Sequence, residues 1–156
     1  CLTELGYDYI MPSPELTGVQ LASIAEHSAL ADRMLIGIHG RTPLMQLLHC
    51  PIKEHKGCQN CMGIAGAVTD EAGRVFPLVN IRYPDNCLVR MLNCRTTDLI
   101  DLFDRIPQTA GYVLNFVGEQ IDEVTERIAA ANEAKNGKRQ TQYPNSTRGH
   151  CMRKVE

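Results

Sequence analysis

Asp8-Tyr9-Ile10-Met11 is an apolar strand pattern that runs straight into Ser13-Pro14-Glu15, an N-cap residue, a proline suited to the first helical position and an acid for the dipole. The helix predicted from this start covers Pro14 to Ser28, with Leu21, Ile24 and Ala25 on one face and Gly18 as its weak point. Met34 to His39 then supplies a second apolar strand, closed by Gly40. A strand, a helix and a strand at this spacing imply a parallel crossover. The rhythm returns at Tyr112 to Val117, read as a third buried strand, and in a helix marked by Ile121, Val124 and Ile128 that runs to about Ala134.

The segment between these βα pieces follows other rules. Thr42 to His49 is apolar and predicts a short helix carrying Leu44, Leu47 and Leu48. Ala67-Val68-Thr69 and Arg74-Val75-Phe76 flank the turn sequence Asp70-Glu71-Ala72-Gly73, which predicts a β-hairpin. Leu78 to Ile81 and Leu88 to Leu92 add two short strands around the turn Tyr83-Pro84-Asp85-Asn86. Leu99, Leu102, Phe103 and Ile106 fit helical spacing, so Thr97 to Arg105 is predicted as a helix capped by Thr96 or Thr97 and ended by Pro107. Asn136 to Ser146 is polar and reads as a linker or solvated tail.

The expected fold class is therefore α/β: a C-terminal fragment of a (β/α) barrel-like domain with a small antiparallel β insertion. Residues 1–135 would form the barrel fragment, with a Cys-rich insertion at about 50–94, and 136–156 a basic polar tail. Three parallel strands are about three of the eight in a closed TIM barrel, so the missing strands are expected upstream, as a partner segment of the same polypeptide. A chain of 156 residues that opens on Cys rather than Met agrees with a fragment. The insertion would sit at the C-terminal ends of the strands, where barrel enzymes build their sites.

Seven cysteines stand at 1, 50, 58, 61, 87, 94 and 151, four of them between 50 and 87. The odd total and the absence of a secretion signal argue against a disulfide framework and point to a cytoplasmic chain. The formal net charge of −2 gives no global pull toward nucleic acid or an anionic membrane, and no apolar run reaches the length of a membrane span.

The strongest chemical signal is Cys50-x7-Cys58-x2-Cys61-x25-Cys87. A C-x2-C knuckle on a turn lets two sulfurs reach one ion, and two thiolates from adjoining loops complete the set. Gly57, Gln59 and Asn60 make the knuckle polar and turn-like rather than core-like. Spacing does not separate zinc from an iron–sulfur cluster. Cys94, His49 and His55 are near enough in sequence to compete as ligands, and Cys1 and Cys151 receive no role.

Glu15, His39 and Arg41 follow the ends of two predicted parallel strands, where a carboxylate, an imidazole and a guanidinium could do acid–base work or hold an anion. The plainer roles are a helix-turn acid, a satisfied core histidine and a surface arginine. No G-x-S-x-G elbow, Walker loop, H-E-x-x-H or dinucleotide fingerprint is present. Arg139, Arg148, His150, Arg153 and Lys154 make the C-terminal segment basic, and Tyr143 could stack on an RNA base.

Several segments together resemble the collagenase-like peptidases of the unknown-mechanism class, family U-32. They are Met11-Pro12-Ser13-Pro14-Glu15-Leu16 after a strand, His39-Gly40-Arg41-Thr42-Pro43-Leu44-Met45, and His49-Cys50-Pro51 leading to Cys58-x2-Cys61. Further matches are Thr69 through Leu78, Cys87 through Asn93, and Thr147-Arg148-Gly149-His150. The sequence departs from the commonest signature at Pro43, where that signature has a cysteine, and at Leu35, where it has a glutamate.

The resemblance implies a barrel-like hydrolase with a four-cysteine site at Cys50, Cys58, Cys61 and Cys87, which relatives use for an iron–sulfur cluster of the 4Fe–4S type, with zinc as the alternative. The family name implies proteolysis of a peptide substrate, while other relatives assist oxygen-independent hydroxylation of RNA bases or quinone precursors. A peptidase fragment, an RNA-modifying hydroxylation factor and a non-catalytic zinc module are thus the readings that enter the structural description.

Overall fold

Over residues 4–27, 30–58, 61–83 and 87–153, the part of the chain that the computed structural model describes, helices and strands combine into a mixed α/β chain with two separate sheets. In chain order the elements are α1 (Gly18–His27), β1 (Leu35–Gly40), β2 (Pro43–Leu47), α2 (Pro51–Lys56), β3 (Gly63–Thr69), β4 (Val75–Arg82), β5 (Cys87–Leu92), β6 (Thr97–Asp98), β7 (Gly111–Leu114) and α3 (Ile121–Lys135). Short 3-10 helices occupy Ala31–Arg33 and Ile100–Arg105. The chain divides into two compact units: residues 1–40, 97–115 and 120–156 form the first, and residues 41–96 and 116–119 the second.

The first unit holds a three-stranded sheet in the order β6-β1-β7. β1 and β7 are parallel, and Ile10 makes a parallel bridge to Met34 just before β1, with the Leu35 N–H donating to the Ile10 carbonyl at 2.9 Å. Parallel pairing thus holds for all three expected strands, although the first is reduced to a single bridge. Leu21, Met34, Ile36, Ile38, Leu99, Ile100 and Ile106 form the buried core, closed on the α3 side by Ala130, Ala131 and Ala134. The small alanines are the buried stripe of α3, while of the residues that marked the helix Ile121 and Ile128 are exposed and Val124 is half-buried.

α1 starts at Gly18 rather than Pro14, because Thr17 and Gln20 make a reciprocal cap. The Thr17 N–H donates to Gln20 Oε1 at 2.9 Å and the Gln20 N–H to Thr17 Oγ1 at 3.3 Å. Ser13, expected as the cap, closes its own turn by accepting from the Leu16 N–H at 3.2 Å. The predicted end of this helix at Ser28 lies outside the described residues.

The helix predicted over Thr97 to Arg105 is also reorganised. Thr97 and Asp98 pair antiparallel with Gly40 and His39, and the Leu99 N–H donates to the Ile38 carbonyl at 2.8 Å. These backbone groups are spent on the sheet, so only a 3-10 helix follows, and it ends at Ile106 in the extended conformation that a following proline favours. Leu99 and Ile106 still face the core as their spacing demanded.

The second unit is an antiparallel sheet in the order β2-β5-β4-β3. β2 replaces the helix expected over Thr42 to His49. Its short apolar run suits either state, and antiparallel pairing with β5 decides it, with Pro43 tolerated at the first strand position. The hairpin joining β3 and β4 is where the turn sequence predicted it, and β4 runs unbroken through Val75–Arg82. The Asp70 carboxylate organises the turn by accepting from the Ala72 N–H at 3.0 Å and the Arg74 N–H at 2.9 Å, while Gly73 takes the left-handed φ of +75°. The turn residues Pro84, Asp85 and Asn86 lie outside the described residues.

Candidate functional site

The antiparallel order of the second sheet gathers chain ends. The C-terminal end of β2, the N-terminal end of β5, the C-terminal end of β4 and the N-terminal end of β3 lie along one end of the sheet. Cys50 follows β2, Cys58 and Cys61 precede β3, and Cys87 opens β5, so all four thiols of the predicted set belong to that end. Cys94 follows the far end of β5, which is itself on the order of 17 Å along the strand from Cys87 at the usual rise.

Each thiol is placed by a local device. Cys50 is the N-cap of α2, its sulfur accepting from the Lys53 N–H at 3.4 Å, with Pro51 inside the first turn. Gly57, at φ +75°, ends α2 and delivers Cys58 to the surface. Cys61 is half-buried, and its sulfur accepts from Asn80 Nδ2 at 2.8 Å. The register pairs Cys87 with Arg82 and Val89 with Asn80, which puts Cys87 and Asn80 on one face of the sheet.

Among the described residues, no three His, Cys, Asp or Glu side chains converge closely enough to hold a metal ion. Gln59 and Asn60, the middle of the C-x2-C knuckle, lie outside those residues, as does Cys1. The donor types are those of a metal or cluster site, although the four sulfurs do not converge: four unbridged cysteines lie toward one end of one sheet, and beside Cys61 is a buried amide whose oxygen, Asn80 Oδ1, has no partner among the described residues. His49 is exposed and faces Glu54 at 3.5 Å, and His55 is exposed on α2.

The three residues expected to do acid–base work occupy three different environments. Glu15 is exposed in the turn before α1, its N–H donating to Ser13 Oγ at 3.3 Å. His39 is sealed in the first unit, with Nδ1 2.6 Å from Asp98 Oδ2 and side-chain exposures of 1% and 0% for the pair. Its ring meets Tyr143 edge-on at 5.6 Å, and the guanidinium of Arg127 lies 4.6 Å over the face of that tyrosine. Arg41 belongs to the second unit, where Nη1 donates to the carbonyls of Asn93 at 2.9 Å and Cys94 at 2.7 Å.

The C-terminal segment, expected to be solvated, is tied down. Thr147 bridges to Thr97, and Arg148 makes a two-pronged ion pair with Asp101 while donating to the Asp98 carbonyl at 2.9 Å. Arg148 is thereby spent inside the first unit and withdrawn from the basic set considered for RNA. Cys151 packs against the core, where burial pushes its thiol up from the ordinary range. Lys154 lies outside the described residues. The buried Asp98 and Asn80 and the half-buried Asp101 were missed in the sequence, because an Asp or Asn in a short apolar run gives no sign of its partner.

No family model, curated protein or solved structure matches the chain. Among the described residues, no helix is long and apolar enough to cross a membrane.

Proposed function

We propose that this chain is the C-terminal part of a barrel-like protein of the collagenase-like family U-32, and that Cys50, Cys58, Cys61 and Cys87 hold an iron–sulfur cluster. The single observation that carries the reading is the strand order β2-β5-β4-β3, which assigns the four thiols to one end of one sheet. The parallel run from Ile10 through β1 to β7 supports the barrel assignment, since such strands need neighbours at their edges. When bound, the cluster would supply electron transfer, and the chain's own part is to present four thiolates and keep them ordered. Gly57 and the α2 N-terminus set two of them, and the sheet sets the other two.

Peptide hydrolysis is the activity the family name suggests for the whole polypeptide. It would draw on strand ends that this chain does not carry, so the chain alone is expected to leave gelatin and peptides uncut. Protein purified without oxygen and reconstituted with iron and sulfide tests the site. The expected result is a brown protein with visible absorption, lost in Cys58→Ser. A colourless protein that takes up one zinc through the same four cysteines would favour a structural zinc module, and a protein that binds neither would end the metal reading.

A further inference from the structure

We propose that Asn80 is a positioning residue for the metal site: its side-chain amide holds the Cys61 sulfur in place and stabilises it as an acceptor-only thiolate ligand. The inference rests on the four-cysteine reading and assigns a role to a residue outside the ligand set.

Asn80 stands in the middle of β4, where Asn is disfavoured, and its neighbours on that face of the sheet are the buried Leu78 and Val89. It is only 4% exposed. Packing alone would be better served by a leucine. Nδ2 donates to Cys61 Sγ at 2.8 Å, while Oδ1 is buried without a partner among the described residues. An unsatisfied buried acceptor is a cost, and it is carried here by a group whose one bond goes to a candidate ligand. A metal-bound sulfur accepts hydrogen bonds and cannot donate them, so the amide must turn its nitrogen to the sulfur and leave its oxygen behind. Gly63, opposite Asn80 in the β3–β4 register, places no side chain between the amide and Cys61. Partners of this kind orient ligands and tune the metal, and losing one typically costs about 10-fold to 100-fold in metal affinity.

Asn80→Leu keeps the branched shape at a larger volume, removes the donor and also removes the orphaned oxygen. The apo chain is therefore expected to unfold in urea no more easily than the wild type, whereas a residue with a purely structural role would lose stability. The functional readout is Zn2+ affinity of the reduced chain by competition with a chromophoric chelator, with Asn80→Asp as a second variant that keeps the shape and loses the donor. Both variants are expected to bind Zn2+ about 10-fold to 100-fold more weakly than wild type. Wild-type affinity in both would overturn the role of Asn80 while leaving the cysteine site intact. Wild-type protein that binds Zn2+ no better than Cys61→Ser would remove the site itself, and the role of Asn80 with it.

Discussion

The most deeply buried polar side chains of the two units are partnered differently, although the first unit also buries one unpartnered nitrogen, Arg127 Nε, among the described residues. In the first, His39 and Asp98 are both sealed from water and satisfy each other at 2.6 Å, inside a core of branched aliphatic side chains. In the second, the buried Asn80 satisfies only one end of its amide, and Leu78, Val89 and Leu92 are the fully buried hydrophobic residues among those described. Leu44, Met45, Leu48, Met62, Ile64, Val68 and Val75 of that unit remain exposed. A unit with its own core can stand on packing and matched polar pairs. A small antiparallel sheet with less buried apolar surface stands to gain more from an added source of order, and thiolate–metal bonds are a common one.

The sharpest break of this contrast is Asp98→Ala. It leaves the His39 ring nitrogen buried without its acceptor, and the expected loss is about 3 kcal/mol in urea unfolding, far from the near-neutral outcome expected for Asn80→Leu. Equal losses for the two variants would erase the distinction between the units. A smaller effect is expected from Arg148→Met, which removes the ion pair to Asp101 and the bond to the Asp98 carbonyl. Stability should fall by about 1 to 2 kcal/mol, and limited proteolysis should cut first within residues 136–153. Cleavage confined to the second unit would contradict the tie.

The smallest effect concerns the Asp70 turn. Hydrogen bonds from Arg74, above all from its backbone N–H, hold the Asp70 carboxyl below the usual carboxylate range. A depressed value means that the contribution to stability is complete above the ordinary value of about 3.9 and fades as the pH falls through the lowered one. The Ala72 and Arg74 amide resonances are expected to move together only below that ordinary value, and movement centred above it would show that the carboxylate does not hold the turn.

The parts legible in the sequence were those fixed by short-range rules. The hairpin at Asp70 to Arg74 follows from its turn residues, and α3 follows from periodicity, with its start fixed by the reciprocal cap of Gln120 and Glu123 that the structure shows. Three errors share one cause. β2, the β6 segment and the buried face of α3 were each settled by a distant partner: β5 for the first, β1 for the second, and for the third a core that admits the alanines. Thr17 displaced Ser13 as helix cap because Gln20 completes a reciprocal pair and Glu15 does not. In the candidate sites, cysteine spacing suggested one shared metal set without showing the sheet that carries it, and His39 was recognisable as special while its partner Asp98 was not.

Hydrogen exchange of the reduced chain with and without metal tests most directly the claim that the first unit is ordered by its own core and the second by its thiolates. With iron and sulfide or Zn2+ bound, protection should rise across residues 43–92 and stay unchanged across β1 and β7, and Cys58→Ser should abolish the rise. Equal protection of the second unit in the apo and loaded chains would contradict the claim.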